Sequence, residues 1–164
     1  MTTSQQPAKA GKYLTFKIDR ESYGIEVLKV REIIKVQPIT RVPEMPGYIK
    51  GVINLRGKII PVLDLRSKLG LEEIAFTDST CIIVVNFKDG TTLIGLVVDA
   101  VEEVSNIAEG DIELPPRFIA DQHVTSIRGM AKLKGSVKTL LDVDEVIGGD
   151  ASDLLACLNP GVQT

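Results

Sequence analysis

The sequence repeats itself, and this repeat limits the folds that are open to the chain. Seven positions recur 71 residues later with the same or a similar residue: Phe16, Gly24, Ile25, Val27, Val30, Glu32 and Ile33 match Phe87, Gly95, Leu96, Val98, Val101, Glu103 and Val104. Residues 49–51, 55–57 and 63–64 recur 78 positions later, at residues 127–129, 133–135 and 141–142. The larger offset places a seven-residue insertion in a loop of the second copy. Repeats of this length indicate two duplicated structural units.

Each unit has the pattern of short β-strands. Leu14, Phe16 and Ile18 alternate with polar residues, which is the period of a half-buried strand. Hairpins are predicted around residues 56–57, 88–91 and 134–135, with Gly57 supplying the positive φ of its turn. Residues 66–69 and 142–147 are predicted to form helical turns, the first closed by Gly70, and residues 109–124 a loop. Residues 28–34 fit either a short helix or a continuing strand, because periodicity alone does not decide between them.

These signals predict a mostly β protein of two small five-stranded barrels packed side by side, with short helical turns. The sequence halves are residues 13–70 and 80–147, and residues 71–79 form the seam between them. Strands can be exchanged between the halves, so the barrels in space need not equal the halves in sequence. Residues 1–12 are predicted to be a polar, disordered leader, and residues 148–164 a tail or a short docking helix. A groove between the barrels is the default place for a partner.

Composition and motifs argue against catalysis, metal binding and nucleic-acid binding. His123 is the single histidine and has no second His or Cys at ligand spacing, so neither a metal nor another cofactor is expected. The chain has no phosphate-binding glycine motif. Its net charge of -3 and few aromatic residues disfavour a nucleic-acid partner. Cys81 and Cys157 do not form a disulfide framework, and no apolar run is long enough for a bilayer, so a cytoplasmic location is predicted.

Two segments give the sequence a specific resemblance. Residues 49–57 are Ile-Lys-Gly-Val-Ile-Asn-Leu-Arg-Gly, and residues 60–66 are Ile-Pro-Val-Leu-Asp-Leu-Arg. Together with residues 23–27, 30–33, 94–99 and 127–129, they resemble the CheW family of chemotaxis coupling proteins, over a match from about Tyr13 to Ile147. The resemblance implies two SH3-like five-stranded barrels, no catalytic activity, and recruitment to receptor arrays at the membrane without insertion into it.

The resemblance also implies partners and binding residues. The partners are the regulatory domain of the histidine kinase CheA and the cytoplasmic signalling tip of chemoreceptors, which the chain would couple as an adaptor in bacterial two-component signalling. The implied partner-binding residues, not divided between receptor and kinase, are Val30, Glu32, Ile33, Gly51, Leu55, Arg56 and Gly57. Each of the apolar residues and glycines also has a purely structural interpretation, in the core or in a backbone turn.

Two alternatives remain at this level. The first is a ligand-binding or metal-free enzymatic double barrel with its site in the groove between the barrels. The second concerns Arg56 alone: the repeat places Glu32 with Arg56 and Glu103 with Lys134, which predicts a structural ion pair in each copy.

Overall fold

The computed structural model of this chain describes residues 8–87, 92–117 and 126–148. Most of the described residues lie in β-strands. The strands are β1 (Gly11–Ile18), β2 (Glu21–Glu26), β3 (Val30–Lys35), β4 (Ile49–Leu55), β5 (Lys58–Asp64), β6 (Cys81–Phe87), β7 (Thr92–Val98), β8 (Ala100–Ile107), β9 (Ile112–Glu113), β10 (Ile127–Leu133) and β11 (Ser136–Leu141). Two short helices, α1 (Leu65–Lys68) and α2 (Val143–Ile147), follow β5 and β11. Within the described residues, no helix has the length and apolar content needed to cross a membrane.

The strands form two sheets, each of which curls into a small barrel. Barrel 1 has the strand order β3-β6-β7-β5-β4, and barrel 2 has the order β8-β1-β2-β11-β10-β9. In barrel 1, Thr40 and Val52 exchange two backbone hydrogen bonds of 2.8 Å, which connect the chain after β3 to the opposite edge strand β4. In barrel 2, β9 follows β8 and pairs with β10 at the equivalent place. The predicted mostly β double barrel is therefore confirmed, with the two-residue β9 as a sixth strand.

The two halves of the sequence exchange strands reciprocally. Barrel 1 takes β3, β4 and β5 from the first half and β6 and β7 from the second. Barrel 2 takes β1 and β2 from the first half and its remaining strands from the second. Two equivalent parallel strand pairings connect the halves within the barrels: β5 pairs with β7, and β11 pairs with β2. Each barrel is therefore complete only with strands from both copies of the repeat.

The core has three parts, which follow from strand alternation. In β6, Ile82 and Val84 point into barrel 1, whereas Ile83, Val85 and Phe87 point toward barrel 2. The buried clusters inside the two barrels are small. The largest cluster of the described residues lies between the sheets and includes Leu14, Phe16 and Ile18 of β1 and Leu96 and Val98 of β7. Strands that are buried on both faces explain the continuous apolar runs in the sequence.

Local signals in the two copies produce the same backbone features. The β4–β5 turn has φ of 52° at Arg56 and 87° at Gly57, and the β10–β11 turn has φ of 51° at Lys134 and 80° at Gly135. Positive φ at both central residues is the signature of a type I′ turn, so the hairpins predicted at residues 56–57 and 134–135 are confirmed, with both residues of each turn in the left-handed region. Both predicted helical turns are present as well.

Asp64 and Asp142 begin the two helices in the same way. The Asp64 carboxylate accepts from the N–H of Arg66 at 3.0 Å, and the Asp142 carboxylate accepts from the N–H of Glu145 at 3.0 Å. Such N-caps satisfy backbone donors that lack a partner inside the helix. Burial raises the pKa of Asp64 above its ordinary value, and the hydrogen bond from Arg66 opposes that shift.

Three segments differ in detail from the sequence interpretation. β1 begins at Gly11, inside the segment predicted as the leader, and the N–H of Ala8 donates to the carbonyl of Arg128 at 3.2 Å. Residues 28–34 are neither one helix nor one strand: a 3-10 turn over Val27–Lys29 leads into β3. The predicted loop after residue 109 contains the 3-10 turn Glu109–Asp111 and strand β9. His123, Cys157 and the turn at residues 88–91 lie outside the described residues.

Candidate partner-binding site

The seven residues predicted to bind partners all lie on barrel 1. Val30, Glu32 and Ile33 are on β3, and residues 51 and 55–57 are on the β4–β5 hairpin. The structure therefore brings together two segments that are separated by about twenty residues in the sequence. It does not, however, give all seven the same exposure.

Ile33 and Val30 form the exposed rim of the apolar cluster between the barrels. Ile33 is the cross-strand neighbour of Ile83, and Val30 is that of Val85, both of which are buried in this cluster. Cross-strand neighbours point to the same side of a sheet. Ile33 is 43% exposed and Val30 is half-buried, so the cluster reaches solvent at β3. An apolar side chain of another protein would find a continuous apolar surface at this rim.

The Arg56–Gly57 turn presents a charged group at the end of barrel 1. The N–H of Gly57 donates to Asn54 Oδ1 at 2.8 Å, and Gln37 Nε2 donates to the carbonyl of Asn54 at 3.0 Å. The first bond closes the turn itself, and the second connects the hairpin to the chain that follows β3. The Arg56 side chain is 69% exposed, so most of its guanidinium donors face water. A planar guanidinium can bind a carboxylate through two parallel hydrogen bonds.

Glu32 and Arg56 form the predicted ion pair, and the second copy of the repeat forms its counterpart. Arg56 Nη2 contacts Glu32 Oε1, and Lys134 Nζ lies 3.4 Å from Glu103 Oε2. The structural ion pair predicted in each copy is thus confirmed. The two basic side chains are largely exposed and their glutamates partly exposed, and such surface pairs contribute only about 0–1 kcal/mol to the free energy of unfolding. Their presence does not exclude a binding role for Arg56, because its exposed donors remain accessible.

Gly51 and Leu55 are placed differently from the surface residues. Gly51 is buried, has φ of 140°, and lies against the closure of barrel 1: a Cβ atom there would be 2.0 Å from the carbonyl oxygen of Thr40. Leu55 is half-buried and packs against the interior cluster of barrel 1. Both residues therefore stabilise the hairpin through contacts inside barrel 1. Ile33, Arg56 and Gly57 are exposed, Val30, Glu32 and Leu55 are half-buried, and Gly51 is the buried member of the set.

Sequence reasoning missed an exposed apolar side chain on the same hairpin. Ile59 of β5 is 45% exposed. Its counterpart 78 positions later, Val137, is 53% exposed, and the counterpart of Ile33, Val104, is 56% exposed. The sequence showed only that both equivalent positions are apolar, and their exposure is known from the structure alone. Barrel 2 therefore provides matched control positions for barrel 1.

A buried arginine connects the two barrels. Arg66 of α1 is 8% exposed, and its Nη1 donates to Asp99 Oδ2 at 2.7 Å, at the crossover between β7 of barrel 1 and β8 of barrel 2. Its Nη2 is 3.6 Å from Asp19 Oδ1, in the β1–β2 turn of barrel 2. At the other crossover, Lys29 Nζ is 3.0 Å from Asp144 Oδ1. These contacts hold the barrels in one relative position.

The space between the barrels is filled by the apolar cluster described above. The alternative prediction of a ligand or enzymatic site in the groove between the barrels stays a prediction, because the cluster describes the interior of this contact and not its surface. In residues 8–87, 92–117 and 126–148, no group of three or more His, Cys, Asp and Glu side chains could hold a metal ion.

Comparisons with known proteins identify relatives over nearly the same region. Residues 12–150 match the family model of the CheW-like domain. The chain is similar to the chemotaxis protein CheW of Bacillus subtilis, with 36% identity over 86% of this chain and 89% of the relative. It is also similar to the chemotaxis protein CheW of Klebsiella aerogenes, with 34% identity over 87% of this chain and 85% of the relative.

A solved structure matches the architecture. The crystal structure of the scaffolding protein TtCheW from Thermoanaerobacter tengcongensis superimposes with a TM-score of 0.74 at 35% sequence identity. The match covers 85% of this chain and 93% of that chain. The two-barrel arrangement and the sequence relationship thus agree over the same extent.

Proposed function

This chain belongs to the CheW family of chemotaxis scaffold proteins, and we propose that it acts as a non-catalytic adaptor that couples chemoreceptors to the histidine kinase CheA. The observation that carries the proposal is the surface of barrel 1. There an apolar rim, Val30 and Ile33, and a charged hairpin, Arg56 and Gly57, occur together on the strands that carry the family's motif.

The two kinds of surface suit two kinds of partner. An apolar rim that continues a buried cluster can accept a helix by burying its apolar side chains. A charged hairpin on a small barrel can contribute orientation and specificity to a barrel-to-barrel contact. We therefore infer that the receptor's cytoplasmic signalling tip and the regulatory domain of CheA both bind barrel 1, through residues 30–33 and 51–57 taken together.

The mechanism requires no chemistry on this chain. Simultaneous binding of both partners raises the effective concentration of the kinase at the receptor, so the second contact becomes intramolecular. The buried Arg66 contacts keep the two barrels in register while both partners are bound. Recruitment to membrane arrays follows from receptor binding.

A capture experiment tests the proposal. The purified chain is immobilised and offered a CheA regulatory domain and a receptor signalling fragment from the same cells, separately and together. We expect each partner to be retained alone, and both to be retained together. Failure to retain either partner would show that the proposed function is wrong.

A matched pair of variants locates the binding surface. Ile33→Asp should weaken capture of at least one partner by about tenfold, because it places a charge on the apolar rim. Val104→Asp changes the equivalent exposed position of barrel 2 and should leave both captures near those of the unmodified chain. Equal loss from both variants would contradict the assignment to barrel 1.

A further inference from the structure

The chain crosses between the two barrels at two places, and an ion pair between the sequence halves lies at each crossover. At the crossover from β2 to β3, Lys29 Nζ is 3.0 Å from Asp144 Oδ1. At the crossover from β7 to β8, Arg66 Nη1 is 2.7 Å from Asp99 Oδ2. Lys29 and Arg66 belong to the first half, whereas Asp99 and Asp144 belong to the second. The first half therefore supplies both cations, and the second half supplies both anions.

The two ion pairs have equivalent positions in the repeat but opposite charges. Arg66 and Asp144 are the second residues of α1 and α2, and they lie 78 positions apart, which is an offset of the repeat. Lys29 and Asp99 lie at the two equivalent crossovers, 70 positions apart. The helix thus carries the cation in one pair and the anion in the other.

This distribution of charge opposes the pairing of like halves. Because β2 is equivalent to β7 and β5 to β11, two first halves would pair β5 of one with β2 of the other. Arg66 would then face the crossover that carries Lys29, and two second halves would place Asp144 against Asp99. The four side chains are between 9% and 35% exposed, so solvent screens such repulsion only in part. Only a first half paired with a second half matches the charges at both crossovers.

Asp99 makes further contacts with the first half. Its Oδ2 also accepts from the backbone N–H of Asp19 at 2.6 Å, and its own N–H donates to the carbonyl of Lys17 at 3.0 Å. The residue at the equivalent position of the first half is Leu28, whose side chain cannot accept a hydrogen bond. Asp19 Oδ1 is 3.6 Å from Arg66 Nη2, but both residues belong to the first half, so this contact does not distinguish one partner half from another.

The net charges of the two halves have the same signs as their crossover residues. Residues 13–70 contain eleven basic and six acidic residues, which gives a net charge of +5. Residues 80–147 contain six basic and eleven acidic residues, which gives a net charge of -5 with histidine neutral. Opposite net charges attract and like net charges repel at distances that shorten as the salt concentration rises. The whole-chain charge of -3 therefore conceals two strongly charged halves.

We propose that these charges specify how the halves pair: a first half accepts a second half, from the same chain or from a second copy, and rejects another first half. The two halves are joined only by residues 71–79, which contain no helix or strand. If these residues separate from β4, a second copy can supply the complementary half with every strand pairing retained. This recognition goes beyond the proposed coupling function and does not depend on it.

Two complementary variants of the full chain test the pairing rule. The basic chain carries Asp99→Lys and Asp144→Lys, and the acidic chain carries Lys29→Glu and Arg66→Glu, so each has like charges at both crossovers. Every chain, including the reference chain, also carries Asp19→Asn. This change removes a carboxylate that would repel the acidic substitution at position 66, and asparagine tolerates the φ of 61° found there. The chains carry different affinity tags and are refolded from urea, separately and as an equimolar mixture.

The mixture allows the charges to match between chains. The first half of the basic chain matches the second half of the acidic chain, and the remaining two halves match with their charges exchanged. We expect a 1:1 dimer that is retained on both tags, with a yield at least about tenfold above that of any dimer from either chain alone. Refolding at about 1 M salt, where the Debye length is about 3 Å, should lower this yield. A charge-exchanged chain with all four substitutions is the matched control and should refold as a monomer.

Three results would overturn the proposal. If the basic and acidic chains each refold as monomers with the melting temperature of the reference chain, the crossover charges do not control pairing. If the charge-exchanged chain melts as low as the basic and acidic chains, the four side chains act through shape and not through charge. If the charge-exchanged chain folds but the mixture yields no dimer by light scattering, a second copy does not supply the complementary half. The experiment contains no receptor or kinase fragment, so its outcome is independent of the capture test.

Discussion

Replacing Arg56 and Lys134 by glutamate separates a binding role from a structural one. The two residues are equivalent in the repeat, have φ of 52° and 51°, and each forms an ion pair with a glutamate on another strand of the same barrel, Glu32 on β3 and Glu103 on β8. Arg56→Glu and Lys134→Glu therefore make the same electrostatic change at the same backbone conformation. Only the partner-binding hypothesis predicts different outcomes.

The expected change in stability is small for both variants. The Arg56 and Glu32 side chains are 69% and 28% exposed, and those of Lys134 and Glu103 are 80% and 45% exposed. Exposed pairs contribute about 0–1 kcal/mol, and reversing one charge adds a repulsion of similar size. A loss of about 1 kcal/mol lowers the melting temperature of a chain of this size by roughly 2–4 °C. Both variants should therefore remain folded at assay temperature.

The expected change in function is large for Arg56 alone. An arginine in the centre of an interface contributes about 2 kcal/mol or more, which corresponds to roughly a 30-fold weaker complex. Receptor-dependent kinase activation, measured as phosphate incorporation in a reconstituted receptor–kinase assay, should be lost with Arg56→Glu and nearly intact with Lys134→Glu. Arg56→Lys should fall between them, because an ammonium lacks the planar two-donor geometry.

Two results would refute this reasoning. If Arg56→Glu and Lys134→Glu reduce activation equally, the turns serve the fold, and the binding role of Arg56 should be dropped. If Arg56→Glu leaves activation unchanged while melting within a few degrees of the unmodified chain, barrel 1 does not use this side chain in coupling. Melting temperatures measured on the same preparations exclude unfolding as the cause of any loss.

Three further variants test other positions. Val30→Asp should weaken partner capture by about 1–3 kcal/mol while the chain still folds, and an unfolded product would instead assign Val30 to the core. Gly51→Ala should lower the free energy of unfolding, measured by urea titration, by at least ~2 kcal/mol, because its Cβ would collide with Thr40. Gly57→Ala has open space around it and should lower the free energy of unfolding by ~1–2 kcal/mol, from its positive φ alone. Burial raises the pKa of Tyr13 above 10.0, so the stability linked to its neutral form is complete below pH 10 and is lost as the pH rises through the raised pKa. The Tyr13→Phe chain should lack this loss when the free energy of unfolding is measured by urea titration at pH 9 and at pH 11. Equal losses in both chains would contradict the shift.

The sequence predicted the local elements well because their signals are local. The Arg56–Gly57 and Lys134–Gly135 turns, the aspartate-capped helices and the alternating strands each depend on a few neighbouring residues. The ion pairs of Glu32 and Glu103 were predictable too, because the repeat showed opposite charges at equivalent positions.

The pairing of strands between the two halves, and the side-chain contacts that depend on this pairing, could not be predicted in the same way. A repeat shows which strands are equivalent but not which copy supplies a strand's neighbour, so the sequence left the exchange open. The Arg66 contacts with Asp19 and Asp99 depend on that exchange, because they join segments 47 and 33 residues apart in the sequence. The ion pair between Lys50 and Glu73 was missed for the same reason, since residues 71–79 read as a linker until their position against β4 is known.

The reciprocal exchange of strands suggests how such a protein could have arisen. A chain with one copy of the repeat would contribute two strands to one barrel and three to another, and would leave both unfinished. Two identical chains related by a twofold axis could complete both barrels. Fusing their genes would keep the same pairings but make them intramolecular, so that assembly no longer depended on protein concentration. Once joined, the two copies could change independently. Arg56 in one turn and Lys134 in the equivalent turn are an example of such a difference between the copies.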